Sequence, residues 1–310
     1  MKSILLAQYG PSNHLITGET PVPSLGNGEI LVKVYAAGVN PLDWKIRAGH
    51  LSGMLPFQLP IILGCDIAGV VAKIGAGVGN FRVGDAVYGM QNLEKQGAYA
   101  EFAAINEQDV ALKPNSLSFV EAASIPMAAL TSWQSLIDQG KVRSGERVLI
   151  HGGAGGVGSF AIQLAKALGA YVATTVSDKN AEFLKGLGAD IAIDYQRQDF
   201  STLLTDYDLV LDTLGGDVLS RSFDVLRTGG TLISLVESPN EELARAKKIH
   251  TIQMLVNPSG KQLAEIGEYY SQGKIKPVVT HVLPLEKAAE AHDLSESKHT
   301  RGKIVLEVQR

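Results

Sequence analysis

A chain of 310 residues that is 45% hydrophobic and 19% charged, with a mean hydropathy of +0.09, has the composition of a folded protein of about two domains rather than a disordered one. Its 28 Lys and Arg against 32 Asp and Glu leave a net charge of -4, which offers no global attraction to nucleic acid or an anionic membrane, and no apolar run reaches the length of a membrane span. One cysteine, Cys65, excludes an intrachain disulfide and a multi-thiolate metal cluster, and fits a reducing, cytoplasmic compartment.

The first seven residues carry one charge, and Gln8, Tyr9 and Gly10 follow before a signal-peptide core can form, so a strand is predicted there. Short strands separated by glycine and proline continue through Ile30 to Tyr35, Val70 to Ile74 and Asp85 to Tyr88. Ser118 and Glu121 then stand at capping-box spacing ahead of an apolar helical pattern, which predicts a domain boundary near Ser118. From there strand-like and helix-like segments alternate. The strands expected are Val148 to Ile150, Tyr171 to Val176, Ile191 to Ile193, Leu209 to Leu211 and Thr231 to Val236, with a helix after Gly158 and another closed by Gly188. Such alternation predicts a doubly wound parallel sheet covered by helices on both faces. Beyond Pro258 one or two helices and strands around Val278 to Val282 and Lys303 to Val308 share the texture of the first third. The expected domains are residues 1–117, 118–255 and a return to the first domain over 256–310.

Glycines concentrate in "VLIHGGAGGVGSF", residues 148–160. Gly153, Gly155 and Gly158 make GxGxxG between a strand candidate, Arg147 to Ile150, and apolar residues at helical spacing from Val157 to Leu168. In that order the first glycine permits a tight turn, the second lets a pyrophosphate approach the backbone, and the third lets helix and strand pack closely. The backbone of Gly153, Gly155, Gly156, Val157 and Gly158 then faces the anion at the helix start. A glycine turn that only closes a βα unit is the alternative. At the end of the second strand, where an NAD-selective site places a carboxylate on the ribose, the chain reads Thr174-Thr175-Val176-Ser177. With Ser177 and Lys179 there, the site suits the 2′-phosphate of NADP(H). Asp178 weighs against this unless it points to solvent or caps the next helix.

Eight segments in order carry a resemblance over nearly the whole chain: "AAGVNPLDWKIRAG" (36–49), "LPIILGCDIAGVVAKIGAGV" (59–78), "VGDAVYG" (83–89), "GAYAEF" (97–102), "PMAALTSWQSL" (126–136), "GERVLIHGGAGGVG" (145–158), "DTLGG" (212–216) and "TRGKIVLEV" (300–308). The chain resembles the zinc-independent quinone and enone reductases of the medium-chain dehydrogenase/reductase superfamily. The resemblance implies a GroES-like β-barrel substrate domain built from both chain ends, a Rossmann domain between them, and a substrate cleft where the two meet. It also implies a homodimer paired through the edge of the Rossmann sheet. Thr231 to Val236, uncharged and apolar, is the edge expected. The zinc alcohol dehydrogenases of the superfamily place three ligands where this chain has Asn40, Cys65 and Met127, of which only the thiol suits zinc. No metal is expected.

Without a Lewis acid, removing a proton from an alcohol of high pKa is a poor route. A quinone or an α,β-unsaturated carbonyl places the charge that follows hydride transfer on a conjugated oxygen, where hydrogen-bond donors suffice. By resemblance Asn40 orients substrate or the nicotinamide ribose, Lys45 stabilises the developing oxyanion and Asp43 positions its neighbours. As plain structure, Asn40 is a turn residue, Lys45 a surface charge and Asp43 a helix cap. Thr131 is implied at the nicotinamide end, Tyr195 and Lys298 at the adenosine and its 2′-phosphate. The expected function is NADPH-dependent reduction of a small conjugated carbonyl or quinone, with no nucleic-acid or membrane partner. A zinc-free enzyme for another carbonyl, or a non-catalytic NADPH-bound nucleic-acid-binding or structural protein, are the alternatives.

Overall fold

The computed structural model describes residues 1–309, which divide into two compact units. The first comprises Met1–Leu130, Asn257–Ser271 and the chain from Pro277 on; the second comprises Thr131–Val256 and Gln272–Lys276.

The first unit opens with β1 (Lys2–Leu6), the strand expected at the start of the chain, and β2 (Leu15–Glu19). Then come β3 (Glu29–Val39), helix α1 (Pro41–Arg47), β4 (Ile61–Ile62), β5 (Asp66–Ile74), β6 (Ala86–Met90), β7 (Phe102–Asn106) and β8 (Val110–Leu112). The fold of α1 is written in its first turn: Pro41 pre-sets the helical φ, and the Asp43 carboxylate accepts the Asn40 amide at 2.8 Å. Ser118 and Glu121 form the expected capping box at the start of α2 (Phe119–Ala123), with Glu121 N–H donating to Ser118 Oγ at 3.1 Å and Ser118 N–H to Glu121 Oε2 at 2.9 Å.

That helix does not open the second unit. It packs on β3 and β5, so closely that a Cβ on Gly38 would lie 2.3 Å from the Ala123 carbonyl oxygen, and the first unit runs on to Leu130. A capping box marks where a helix starts; which sheet the helix then covers is decided by packing.

Helix α3 (Pro126–Trp133) carries the chain into the second unit. There β9 (Arg147–Ile150), α4 (Gly156–Ala167), β10 (Tyr171–Val176), α5 (Ala181–Gly186), β11 (Ile191–Asp194), α6 (Phe200–Leu203), β12 (Tyr207–Asp212), α7 (Gly216–Ser222), β13 (Leu226–Ser234), α8 (Glu241–Lys247) and β14 (His250–Gln253) follow in turn. The sheet is parallel throughout, in the order β11-β10-β9-β12-β13-β14. This is a Rossmann order, whose direction reverses beside β9. Its core is Leu149, Ala173, Val210, Leu232 and the rings of Phe200, Tyr207 and Phe223.

One expectation fails. Thr231 to Val236 is not an edge, because β13 is paired on its far side with β14, from Thr231 with His250 to Ser234 with Gln253. Four residues of mixed polarity, His250-Thr251-Ile252-Gln253, give no periodic signal, and it is their outer side that is open.

The chain returns to the first unit with α9 (Gly260–Ser271), β15 (Val279–Pro284), α10 (Ala288–Glu296) and β16 (Lys303–Glu307). Strand β16 pairs antiparallel with β3, completing a sheet in the order β15-β16-β3-β5-β6-β8 with β7 also on β3; a small sheet, β2-β1-β4, lies apart. Ile30, Val32, Val34, Ile67, Val71, Ile304 and Leu306 are buried at the centre of this unit. Among the described residues no helix is long and apolar enough to cross a membrane.

Candidate functional site

In the second unit the glycine motif is a shaped cradle. The left-handed turn is made by Gly152 (φ +70°), one residue before the motif's first glycine. Gly153 serves packing instead: a Cβ there would lie 2.0 Å from Thr174 Oγ1, a buried hydroxyl that donates to Ile150 O. Gly158 has no room either, with Gly152 O at 2.4 Å from a built Cβ. Around Gly155 the space is open, since the nearest atom to its Cβ position is Gly152 O at 3.4 Å. Gly155 also precedes α4 without a side-chain cap, so the amides of Gly156, Val157 and Gly158 have no acceptor within the helix. An uncapped helix start over an open glycine fits a pyrophosphate. His151 is the pillar beneath, its ring nitrogens on Thr175 Oγ1 and Ser222 Oγ, each at 3.0 Å, and burial pushes its pKa down to about 3 so that it stays neutral.

The end of β10 offers no carboxylate toward the turn. Thr174 and Thr175 are buried and hydrogen-bonded, Ser177 Oγ accepts from Asn180, and Lys179 and Tyr195 are exposed. Thr131 is buried near the start of this unit, whereas Lys298 belongs to the first unit.

In the first unit Asn40, Asp43 and Lys45 stand at the start of α1, and they differ sharply in setting. Asn40 is 2% exposed: its Nδ2 donates to Asp66 Oδ2 at 2.9 Å, and its Oδ1 accepts from Lys303 Nζ. Asp43 is fully buried and accepts from Tyr99 O–H at 2.7 Å as well as from the Asn40 amide. Lys45 is half-buried, its ammonium lies 5.9 Å from the Trp44 ring centroid, and that ammonium has no hydrogen-bonded or ion-paired partner among the described residues. Burial, and then the charge of Lys298, push its pKa below that of an ordinary lysine.

Two buried charges complete the arrangement and were not singled out from the sequence, although both lie in quoted segments, "GCDIAG" and "TRGKIV". Asp66 Oδ1 accepts the Met127 amide at 2.8 Å in the first turn of α3, and Asp66 Oδ2 lies 3.3 Å from Lys303 Nζ. Burial nonetheless raises the pKa of Asp66, with Lys303 pulling the other way.

Burial pushes the Asp43 carboxyl up from 3.8 to about 7, against the lowering effect of its two hydrogen bonds. The native state therefore holds this proton more tightly than the unfolded chain, and its contribution to stability falls as pH rises from about 4 through about 7. Asp43→Asn is expected to remove that slope, so that Tm of the variant gains on the wild type across the window; a Tm difference independent of pH would contradict it.

The zinc positions of the related alcohol dehydrogenases do not fit a metal here. Burial and the neighbouring Asp43 and Asp66 raise the Cys65 thiol, which accepts from Gln96 Nε2 at 3.0 Å, while the Lys303 ammonium already neutralises the nearest carboxylate. Among the described residues no group of three or more His, Cys, Asp or Glu could hold a metal ion.

Residues 26–115 match the family described as "Alcohol dehydrogenase GroES-like domain", and residues 187–306 the one described as "Zinc-binding dehydrogenase". The chain is 35% identical to the 2-methylene-furan-3-one reductase of Solanum lycopersicum over 99% of this chain and 79% of that protein. It is 33% identical to the chloroplastic NADPH-dependent alkenal/one oxidoreductase of Arabidopsis thaliana, with the same coverage. Among solved structures, the quinone oxidoreductase from Coxiella burnetii is similar over 100% of this chain and 99% of that one, with TM-score 0.94 and 38% identity. The fold is therefore a GroES-like unit with a Rossmann unit, as the sequence implied. With these identities over nearly its whole length and no zinc site among its described residues, the chain belongs to the zinc-independent quinone and enone oxidoreductases of the medium-chain dehydrogenase/reductase superfamily.

Proposed function

We propose that this oxidoreductase uses NADPH to reduce a small α,β-unsaturated carbonyl or quinone without zinc. The observation that carries this reading is Lys45: a half-buried ammonium without an internal partner, set on a helix whose start is locked by Asn40, Asp43, Asp66 and Lys303. A donor so placed serves an oxygen that becomes negative only during reaction. Bound NADPH supplies the hydride. Lys45 hydrogen-bonds the carbonyl oxygen of the acceptor as charge develops there. Asn40 keeps one amide hydrogen beyond the bond to Asp66, and we assign it to the substrate or the nicotinamide ribose; Asp43 holds the Asn40 backbone. We assign Thr131 to the nicotinamide, and Ser177, Lys179 and Tyr195 to the adenosine end.

We give Lys298 a second role beside the one at the 2′-phosphate that the sequence suggested: its charge is felt by Lys45 and lowers the pKa of that ammonium. The open side of β14 replaces β13 as the place where two copies pair. A reducing compartment, the cytoplasm, is the location we propose, in keeping with a sequence that holds one cysteine.

The test is oxidation of NADPH and NADH by metal-stripped protein with a quinone, a short enal, a cyclic enone and a saturated aldehyde. Turnover of the conjugated acceptors with NADPH is expected. Silence with all of them, or activity only on adding zinc, overturns the reading.

A further inference from the structure

Strands β10 and β11 run parallel and end together, their last register pair being Val176 with Asp194, and the Tyr195 amide donates to Val176 O at 3.1 Å. Ser177, Asp178 and Lys179 therefore leave the sheet beside Tyr195 and Arg197, at the carboxyl ends where such sheets bind ligands. Arg197 is 73% exposed and lies 3.8 Å from Asp178 and 3.5 Å from Asp194. Both distances are longer than the charge-assisted contacts a guanidinium makes when it forks onto a carboxylate or phosphate. Asp194 is otherwise held, its Oδ1 accepting the Gln196 amide at 3.1 Å, whereas Arg197 is the one side-chain partner of Asp178 among the described residues. A loose, exposed ion pair of this kind contributes little and yields to a stronger anion.

The geometry points to Arg197 as the residue that sets preference for NADPH over NADH, with Asp178 as the counter-ion exchanged for the 2′-phosphate when NADPH binds. This inference rests on NADPH being the cofactor. It answers the ambiguity of Asp178: a carboxylate just past the second strand disfavours a phosphate only while it faces the site unpaired, and here it is turned to an arginine. A phosphate offers Arg197 a doubly charged, fork-accepting partner that Asp178, at its present distance, does not match. NADH brings no such anion, so with NADH the pair stays as it is.

The experiment is fluorescence titration of the full chain with NADPH and with NADH, without acceptor, for wild type, Arg197→Ala and Asp178→Asn. Loss of a charge-assisted contact to phosphate is expected to weaken NADPH binding by about tenfold to a hundredfold in Arg197→Ala, with NADH unchanged. Asp178→Asn is expected to tighten NADPH, because its competitor for Arg197 is gone. The same Kd ratio of NADPH to NADH in Arg197→Ala as in wild type overturns the inference, as does weaker NADPH binding in Asp178→Asn. Failure of the wild type to bind NADPH overturns instead the cofactor assignment beneath it.

Discussion

Replacing Lys303 by methionine is expected to lower folding stability by about 3–5 kcal/mol, the cost of leaving a buried carboxylate without its cation. Lys303 is 4% exposed and Asp66 is 0% exposed, so water does not take over the lost contact. The substitution keeps most of the side-chain volume and removes the ammonium that faces both Asp66 and Asn40, so Asn40 Oδ1 loses its donor at the same time. Asp66 retains the Met127 amide and the Asn40 amide group, which are too few donors for a full charge in this setting. Asp66→Asn combined with Lys303→Met is expected to recover much of the loss, since both charges are then gone, and a buried pair is worth far less against a neutral replacement than against a broken half. Urea unfolding of the four proteins measures this. A single variant within about 1 kcal/mol of wild type, or a double variant as unstable as the two singles summed, would show that the pair is not the unit described.

The same pair shows which parts of the molecule were legible in its sequence. Glycine spacing between a strand and a helix is a local pattern, so the Rossmann turn could be read directly, and only the shift of the left-handed position to Gly152 needed coordinates. The capping box at Ser118 was likewise local, but the side on which its helix packs was not. Asp66 and Lys303 are 237 residues apart, one on a strand of the first third and one on the last strand, and no periodicity links them. Each alone reads as an ordinary charge. Only the antiparallel pairing of β16 and β5 on the two sides of β3 brings them together. Strand β14 escaped notice for the opposite reason: it is short and mixed in polarity, and only its partner β13 carries an apolar run. Arg197 stands in the sequence as one more isolated charge, and its meaning depends on two parallel strands ending side by side.

Lys45→Ala is expected to lower kcat/KM for conjugated acceptors by about a hundredfold to a thousandfold, the usual scale for removing one donor to a developing oxyanion, with NADPH affinity unchanged. Stability is expected to change little, because the Lys45 ammonium has no hydrogen-bonded partner among the described residues to strand and lies only over the Trp44 ring. Lys45→Arg, which keeps the charge in a larger planar group, should recover part of the rate. The pH profile separates this role from a merely structural one. Only the ammonium can donate, and burial together with Lys298 lowers its pKa from 10.5, so activity is expected to fall on the alkaline side earlier than for an ordinary lysine. Lys298→Ala removes one of the two causes and should move that alkaline limb upward; Lys45→Arg should abolish it over the same range, because a guanidinium does not titrate there. Wild-type kcat/KM in Lys45→Ala with every conjugated acceptor, or an alkaline limb unmoved by both Lys298→Ala and Lys45→Arg, would take the oxyanion away from Lys45 and leave the remaining amide hydrogen of Asn40 as the donor nearest the start of α1.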